Sequence, residues 1–335
     1  MGQRCPGREN GENQNHVGKR QTHLHPACGS ICHLYRLARR GLPSREADRH
    51  PDTVASHRRR RGGTCPHRKP KGAERRPKDP PVVRTEHLAK QFKDSKKGVV
   101  KAVDDVSFTA EPGRIYGLLG INGAGKTTLL RLLSTVIKPD SGTAQVAGYS
   151  IETDSQKVRA NIGFLSTSTA LYGRLTAREM IEYFGGLYGL AGPDLKSKVD
   201  RVIEKLGIGE FSDRLCEKLS TGQKQRVSIA RTILHDPPVL FFDEPTTGLD
   251  VVSSQVVMEF IEDVRDQGKT IVYCTHIMSE VERLCDHVGV IHSGRLVANG
   301  TVEQLKAAQG TATLEQAFLK LVEYQSERKT AGASA

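Results

Sequence analysis

Eight successive residues, Gly120, Ile121, Asn122, Gly123, Ala124, Gly125, Lys126 and Thr127, spell a complete Gly-x-x-x-x-Gly-Lys-Thr loop. An apolar run over 115–119 leads into it, and a helical pattern over 128–137, opening with Thr128, leads out. A strand that turns on glycines into a helix leaves few folds open. Glycines let backbone N–H groups converge on one point, and a helix start adds unpaired N–H groups and the positive end of the dipole. The result is a cradle for phosphate oxygens. Lys126 is placed to reach the β- and γ-phosphates, and the Thr127 hydroxyl to ligate Mg²⁺. The expected ligand is a nucleoside triphosphate with Mg²⁺.

At 335 residues the chain is long enough for about two domains. Its net charge of +12 is concentrated at one end. Residues 1–80 hold 19 Lys and Arg against 7 Asp and Glu, and the remainder holds 31 of each. The body therefore carries no net electrostatic reason to bind nucleic acid or anionic lipid, and no specific nucleic acid is expected. Residues 1–80 are poor in large apolar side chains and read as a basic, disordered tail. His25, Cys28, Cys32 and His33 lie there, but their loose spacing and the lack of a second ligand pair argue against a zinc module. Arg58, Arg59, Arg60 and Arg61 read as a solvated charge run. No secretory signal is evident. A mis-assigned start is a further expectation, because translation from a valine codon near Val82 would remove the odd composition. No run approaches the 18 apolar residues of a membrane span, so any membrane role has to come through a partner.

Within the body, 82–92 and 99–110 alternate as half-wet strands do, and 158–165 is another candidate strand. The helix after the glycine loop repeats apolar residues at Leu129, Leu132, Leu133, Val136 and Ile137. Residues 176–220 read as a helical lobe, with helices over 176–190 and 198–206. Strand and helix then alternate again: a strand at 239–242, a helix at 252–267, a strand at 270–275, a helix at 277–284. A hairpin over 288–297 turns at Ser293 and Gly294. A short amphipathic helix over 313–324 puts Leu314, Ala317, Phe318 and Leu321 on one face.

The apolar strand at 239–242 runs into Asp243, Glu244 and Pro245. Mg²⁺ takes hard oxygen ligands and keeps much of its water, so Asp243 is expected to hold it partly through water. Glu244 is expected to polarise the attacking water. Leu219, Ser220, Thr221, Gly222 and Gln223 precede a helix over 224–234, which makes either a second anion site or an ordinary helix cap.

Taken in order, these segments resemble the ATP-binding-cassette (ABC) family over about residues 82–305. Residues 219–223 are similar to its signature, and Thr246, Thr247, Gly248, Leu249 and Asp250 to its D-loop. Thr275 and His276 resemble its switch, and Phe92 stands where that family stacks an aromatic on adenine. The resemblance implies an α/β fold of the P-loop NTPase class, with a RecA-like core, an antiparallel β subdomain and a helical subdomain at about 168–222. The ATP-binding domain would span 81–310, with a short helix and tail at 311–335. It also implies ATP and Mg²⁺ as ligands, with Lys126, Glu244 and His276 as catalytic residues. A second cassette, identical in a homodimer, would supply Ser220, Gly222, Gln223 and Asp250 to close over the nucleotide. The partner would be a transmembrane permease, which holds the subunit at the cytoplasmic face of the membrane.

Two departures mark a branch. Thr221 stands where a second glycine is commoner. Thr167 stands where the family places a coupling glutamine, and its hydroxyl is a candidate Mg²⁺ ligand. With Tyr172, Gly173, Arg174, Leu175 and Thr176 following, the pattern resembles ATP-binding subunits of sodium and drug efflux. The alternative is a soluble ABC ATPase acting on nucleic acid or ribosomes. The single cassette, with 91 residues between Thr127 and Leu219, weighs against it.

Overall fold

The computed structural model describes residues 83–94, 98–166 and 170–332. Two sheets organise them. β1 (Val83–Asp94), β2 (Gly98–Ala110), β4 (Ser141–Val146) and β5 (Tyr149–Ser150) form an antiparallel sheet in the order β2-β1-β4-β5. The second sheet has the order β10-β9-β3-β8-β7-β6. It contains β3 (Ile115–Leu119), β6 (Ile162–Leu165), β7 (Val239–Asp243), β8 (Thr270–Thr275), β9 (His287–His292) and β10 (Arg295–Gly300). It is parallel from β9 through β6, with β10 as an antiparallel edge.

β3, β7 and β8 are buried on both faces, which is why they read as continuous apolar runs. Their alternation divides the core. Tyr116, Leu118, Phe241, Val272 and Cys274 pack toward the antiparallel sheet with α1 (Lys126–Leu133). Ile115, Leu240, Phe242, Ile271 and Tyr273 face the other way, against α5 (Thr221–Ile233) and α6 (Val251–Asp266). That second core runs on into a lobe of α3 (Ala177–Leu187) and α4 (Gly192–Lys205). Thr176 caps α3 in a reciprocal box with Glu179. Leu314, Ala317, Phe318 and Leu321 are buried on α9 (Leu314–Gly332); all but Ala317 pack with Val281 of α7 (Met278–Leu284) and α8 (Val302–Gln309).

Several boundaries differ from the sequence reading. α1 begins at Lys126 and stops at Leu133, because Thr135 adopts a left-handed φ of 59°, and Val136 is 61% exposed. The expected strand at 158–165 is two elements: α2 (Ser155–Ala160), which buries Val158, and then β6. α4 starts at Gly192, with Pro193 in its first turn, where proline's missing N–H is not needed. α5 begins at Thr221 with Ser220 as its N-cap, so the last three signature residues form its first turn rather than precede it. β4 and α8 carried weak signals, and α9 runs on to Gly332. The expectations for residues 1–80 lie outside the described residues. No helix among the described residues is long and apolar enough to cross a membrane.

Candidate functional site

Three neighbouring parallel strands end side by side, and each hands its next residues to one cleft. Leu119 pairs with Thr275, and Asp243 pairs with Cys274. β3 therefore delivers the glycine loop, β7 delivers Asp243 and Glu244, and β8 delivers His276. The loop is tied to β8 by the Gly120 N–H donating to the Thr275 carbonyl at 3.4 Å.

The cleft has a volume of about 970 Å³, and residues 122–128 line one wall. α1 has Gly125 as its N-cap, with φ of 112° and no side-chain cap, so its first N–H groups face the cleft unclaimed by a capping side chain. A side chain at Gly125 would stand 2.3 Å from the Ala102 carbonyl, so glycine is required by packing as well as by φ. The β9–β10 turn closes the same wall. The Gly294 N–H donates to Ala124 at 2.8 Å, and its carbonyl accepts from Asp104 N–H at 2.8 Å. Asp104 also pairs with Arg295 at 2.7 Å, and that hydrogen bond holds its carboxyl below the usual range. Phe92 is 43% exposed and pairs across the strands with Val100, which lines the cleft.

Lys126 is 4% exposed. It donates to the Gly120 carbonyl at 2.6 Å and lies 3.1 Å from Glu244 Oε1. Glu244 Oε2 accepts from the Thr247 hydroxyl at 3.1 Å, and His276 Nδ1 stands 3.2 Å away, off the line of a hydrogen bond. Burial pushes the Glu244 carboxyl up, but the hydrogen bond and charge of Lys126, with smaller help from His276 and Thr247, outweigh it and hold it ionised. Glu244 has a left-handed φ of 50°, a conformation that persists only where its surroundings impose it.

Thr127 Oγ1 donates to Asp243 Oδ1 at 3.1 Å, and Asp243 is 1% exposed. A hydroxyl and a carboxylate oxygen this close, beside an anion cradle, fit the hard-oxygen, half-hydrated coordination that Mg²⁺ prefers. Thr167, the further candidate ligand, lies outside the described residues.

Ser220, Gly222, Gln223 and Asp250 form a separate group, and none of them lines the cleft. Ser220 accepts from the Gln223 N–H at 3.3 Å, and Gln223 Oε1 accepts from the Ser220 N–H at 3.0 Å. Within one chain the signature is thus a capping box. Asp250 caps α6 through Ser253, and the Ser253 hydroxyl sits where a Gly222 side chain would be, 2.5 Å from its Cβ position.

Sequence reading missed three anchors. Gln225 Nε2 donates to the Pro245 carbonyl at 2.6 Å and ties α5 to the turn after Glu244. Ala102 meets the loop through its backbone, which no side-chain pattern records. Glu280 accepts hydrogen bonds from three hydroxyls, although its position in the sequence looks like any acidic helix residue.

Comparison with known proteins adds independent findings. The ABC transporter family model matches residues 103–247. The ABC transporter ATP-binding protein NatA of Bacillus subtilis is 42% identical over 236 residues, covering 70% of this chain and 96% of that one. The Nod factor export ATP-binding protein I of Ralstonia nicotianae is 36% identical over 225 residues, 67% of this chain and 68% of its own length. A solved ATP-binding subunit of an ABC transporter superposes with a TM-score of 0.65 at 25% identity, covering 72% of this chain and 99% of that one.

Proposed function

Because this chain belongs to the ABC transporter family, we propose that it is the ATP-binding and hydrolysing subunit of an exporter, driving a separate membrane permease. One observation carries this reading: Lys126, Thr127 and Glu244 line one cleft at the ends of β3 and β7, with Asp243 in contact with Thr127 and His276 in contact with Glu244. Relatives named for export support the direction of transport.

In this reading the backbone N–H groups of 122–128 and Lys126 bind the β- and γ-phosphates, and the adenine lies toward Phe92 and Val100. Thr127 and Asp243 hold Mg²⁺, which supplies positive charge to the phosphate oxygens when bound. Glu244 accepts the proton of the water that attacks the γ-phosphorus, and His276 steadies the γ-phosphate. ADP and phosphate leave.

The separate group at Ser220, Gly222, Gln223 and Asp250 serves the nucleotide of a second copy, so two chains close head to tail over two ATP molecules. Closure with ATP and opening after hydrolysis would pass to the permease and keep the subunit at the cytoplasmic face of the membrane. In this reading the cassette spans 81–310.

The test is phosphate release by the full chain with ATP, with and without Mg²⁺. Mg²⁺-dependent turnover that Glu244→Gln abolishes supports the reading. A folded protein that neither binds nor hydrolyses ATP overturns it.

A further inference from the structure

Glu280 is 5% exposed, in the first turn of α7. Its carboxylate is met by hydroxyls rather than by a basic side chain. Oε1 accepts from Thr246 at 2.5 Å, and Oε2 accepts from Tyr273 at 2.9 Å and Thr275 at 2.8 Å. The Thr275 hydroxyl in turn accepts from the Ile277 N–H at 3.0 Å. Burial and the nearby carboxylate push the Tyr273 phenol up, so it stays a donor.

The places those hydroxyls hold matter more than their number. Thr246 lies two residues beyond Glu244 on the turn that leaves β7. Thr275 immediately precedes His276 at the end of β8. One buried side chain thus pins both segments that reach into the cleft, beneath the 3.2 Å approach of His276 to Glu244. Glu244 needs such support, because its left-handed backbone would relax without it. Its backbone is tied to β8 by its N–H, which donates to the Cys274 carbonyl at 2.9 Å.

We propose that Glu280 is a positioning residue for hydrolysis, which fixes the Glu244 turn and the His276 strand end relative to each other. The proposal rests on the ATPase reading above. Glu280 touches no substrate; it acts through the two residues whose backbones it anchors. Binding should be spared, because Lys126 and the glycine loop hang from β3 and share none of these hydroxyl contacts.

Steady-state ATPase assays of the full chain compare Glu280→Ala, Glu280→Gln, His276→Ala and the Glu280→Ala/His276→Ala pair. Glu280→Ala should lower kcat about tenfold or more with KM for ATP within about twofold, as expected for a misplaced reacting group. Glu280→Gln should restore most of the rate, because its amide accepts two hydroxyls and donates to the third. The double variant should fall short of the product of the two single effects, since linked residues are not additive. If Glu280→Ala does not fold, Thr246→Val and Thr275→Val each remove one hydroxyl at constant size and should show the same split. A wild-type rate in variants that merely melt lower overturns the proposal, and so does an effect that multiplies with that of His276→Ala. A wild-type protein without turnover overturns the ATPase reading itself, and this proposal with it.

Discussion

Lys126 Nζ lies 3.1 Å from Glu244 Oε1 while it donates to the Gly120 carbonyl at 2.6 Å. The cation suited to a polyphosphate is thus already neutralised by the carboxylate suited to activate water. In the proposed reading, arrival of the phosphates would exchange one anion for another at Lys126 and free Glu244 to accept a proton. Base and nucleotide compete for the same ammonium, which gives opposite expectations for the two residues.

Lys126→Ala should weaken ATP binding by roughly ten- to a hundredfold, the worth of one buried charge-assisted contact. Titration with ATP and Mg²⁺, followed calorimetrically, checks this. A change below about threefold would place the phosphates elsewhere.

Glu244→Gln should slow hydrolysis by roughly 10²–10⁴ and bind ATP at least as tightly as the wild type, because the competitor for Lys126 has lost its charge. The ATP-loaded variant should then accumulate as a dimer. Light scattering with ATP and Mg²⁺ reads the doubled mass; unchanged turnover would move the proton-accepting role to another group.

Gly222→Ala should leave nucleotide binding by the cleft intact and impair ATP-driven dimerisation. The added methyl group would meet the Ser253 hydroxyl at 2.5 Å and its Cβ at 3.0 Å, pushing apart the start of α5 and the Asp250 cap. Wild-type dimer formation in this variant would show that the two segments are not set against each other for that purpose.

Asp104 supplies a pH signature. Arg295 and Lys101 hold its carboxyl low in the folded protein. A depressed carboxylate stabilises above its unfolded pKa, and that stabilisation is lost as pH falls through the folded value. Asp104→Asn should therefore melt at most a few degrees lower at neutral pH, and the gap should close below about pH 4. Melting curves from pH 7 to pH 3 decide it; a gap that widens in acid would reverse the sign of the assignment.

Removing residues 1–80 should change ATPase activity per folded molecule by less than about twofold, since every motif lies beyond Val82. It also removes the chain's net charge of +12. Retention on an anionic surface at low salt should drop accordingly, and a large loss of thermal stability would tie the segment to the cassette.

β3, β7 and β8 were legible because burial on both faces leaves an apolar run, as at 239–242, whereas β6 was not separated from the helix before it. The glycine loop was legible because its demands on residue type are severe. β4 was harder: Ala144 and Val146 are buried in alternation, but the element is short and opens with Ser141 and Gly142, which resemble a turn. The early end of α1 turned on the φ of Thr135, which periodicity does not encode. Asp243, Glu244 and His276 could be named from their motifs, whereas Glu280 could not, because its importance comes from three hydroxyls on other elements.

The wall around Gly125 is assembled from β2, the glycine loop and the β9–β10 turn, whose Gly294 lies 169 residues after Gly125. Chains emerge from the ribosome N-terminus first. A nascent chain therefore exposes its complete phosphate loop long before the last piece of wall exists to brace it. In the proposed reading, the braced nucleotide site would form only after Gly294 has been made, so bound nucleotide would report a late stage of folding.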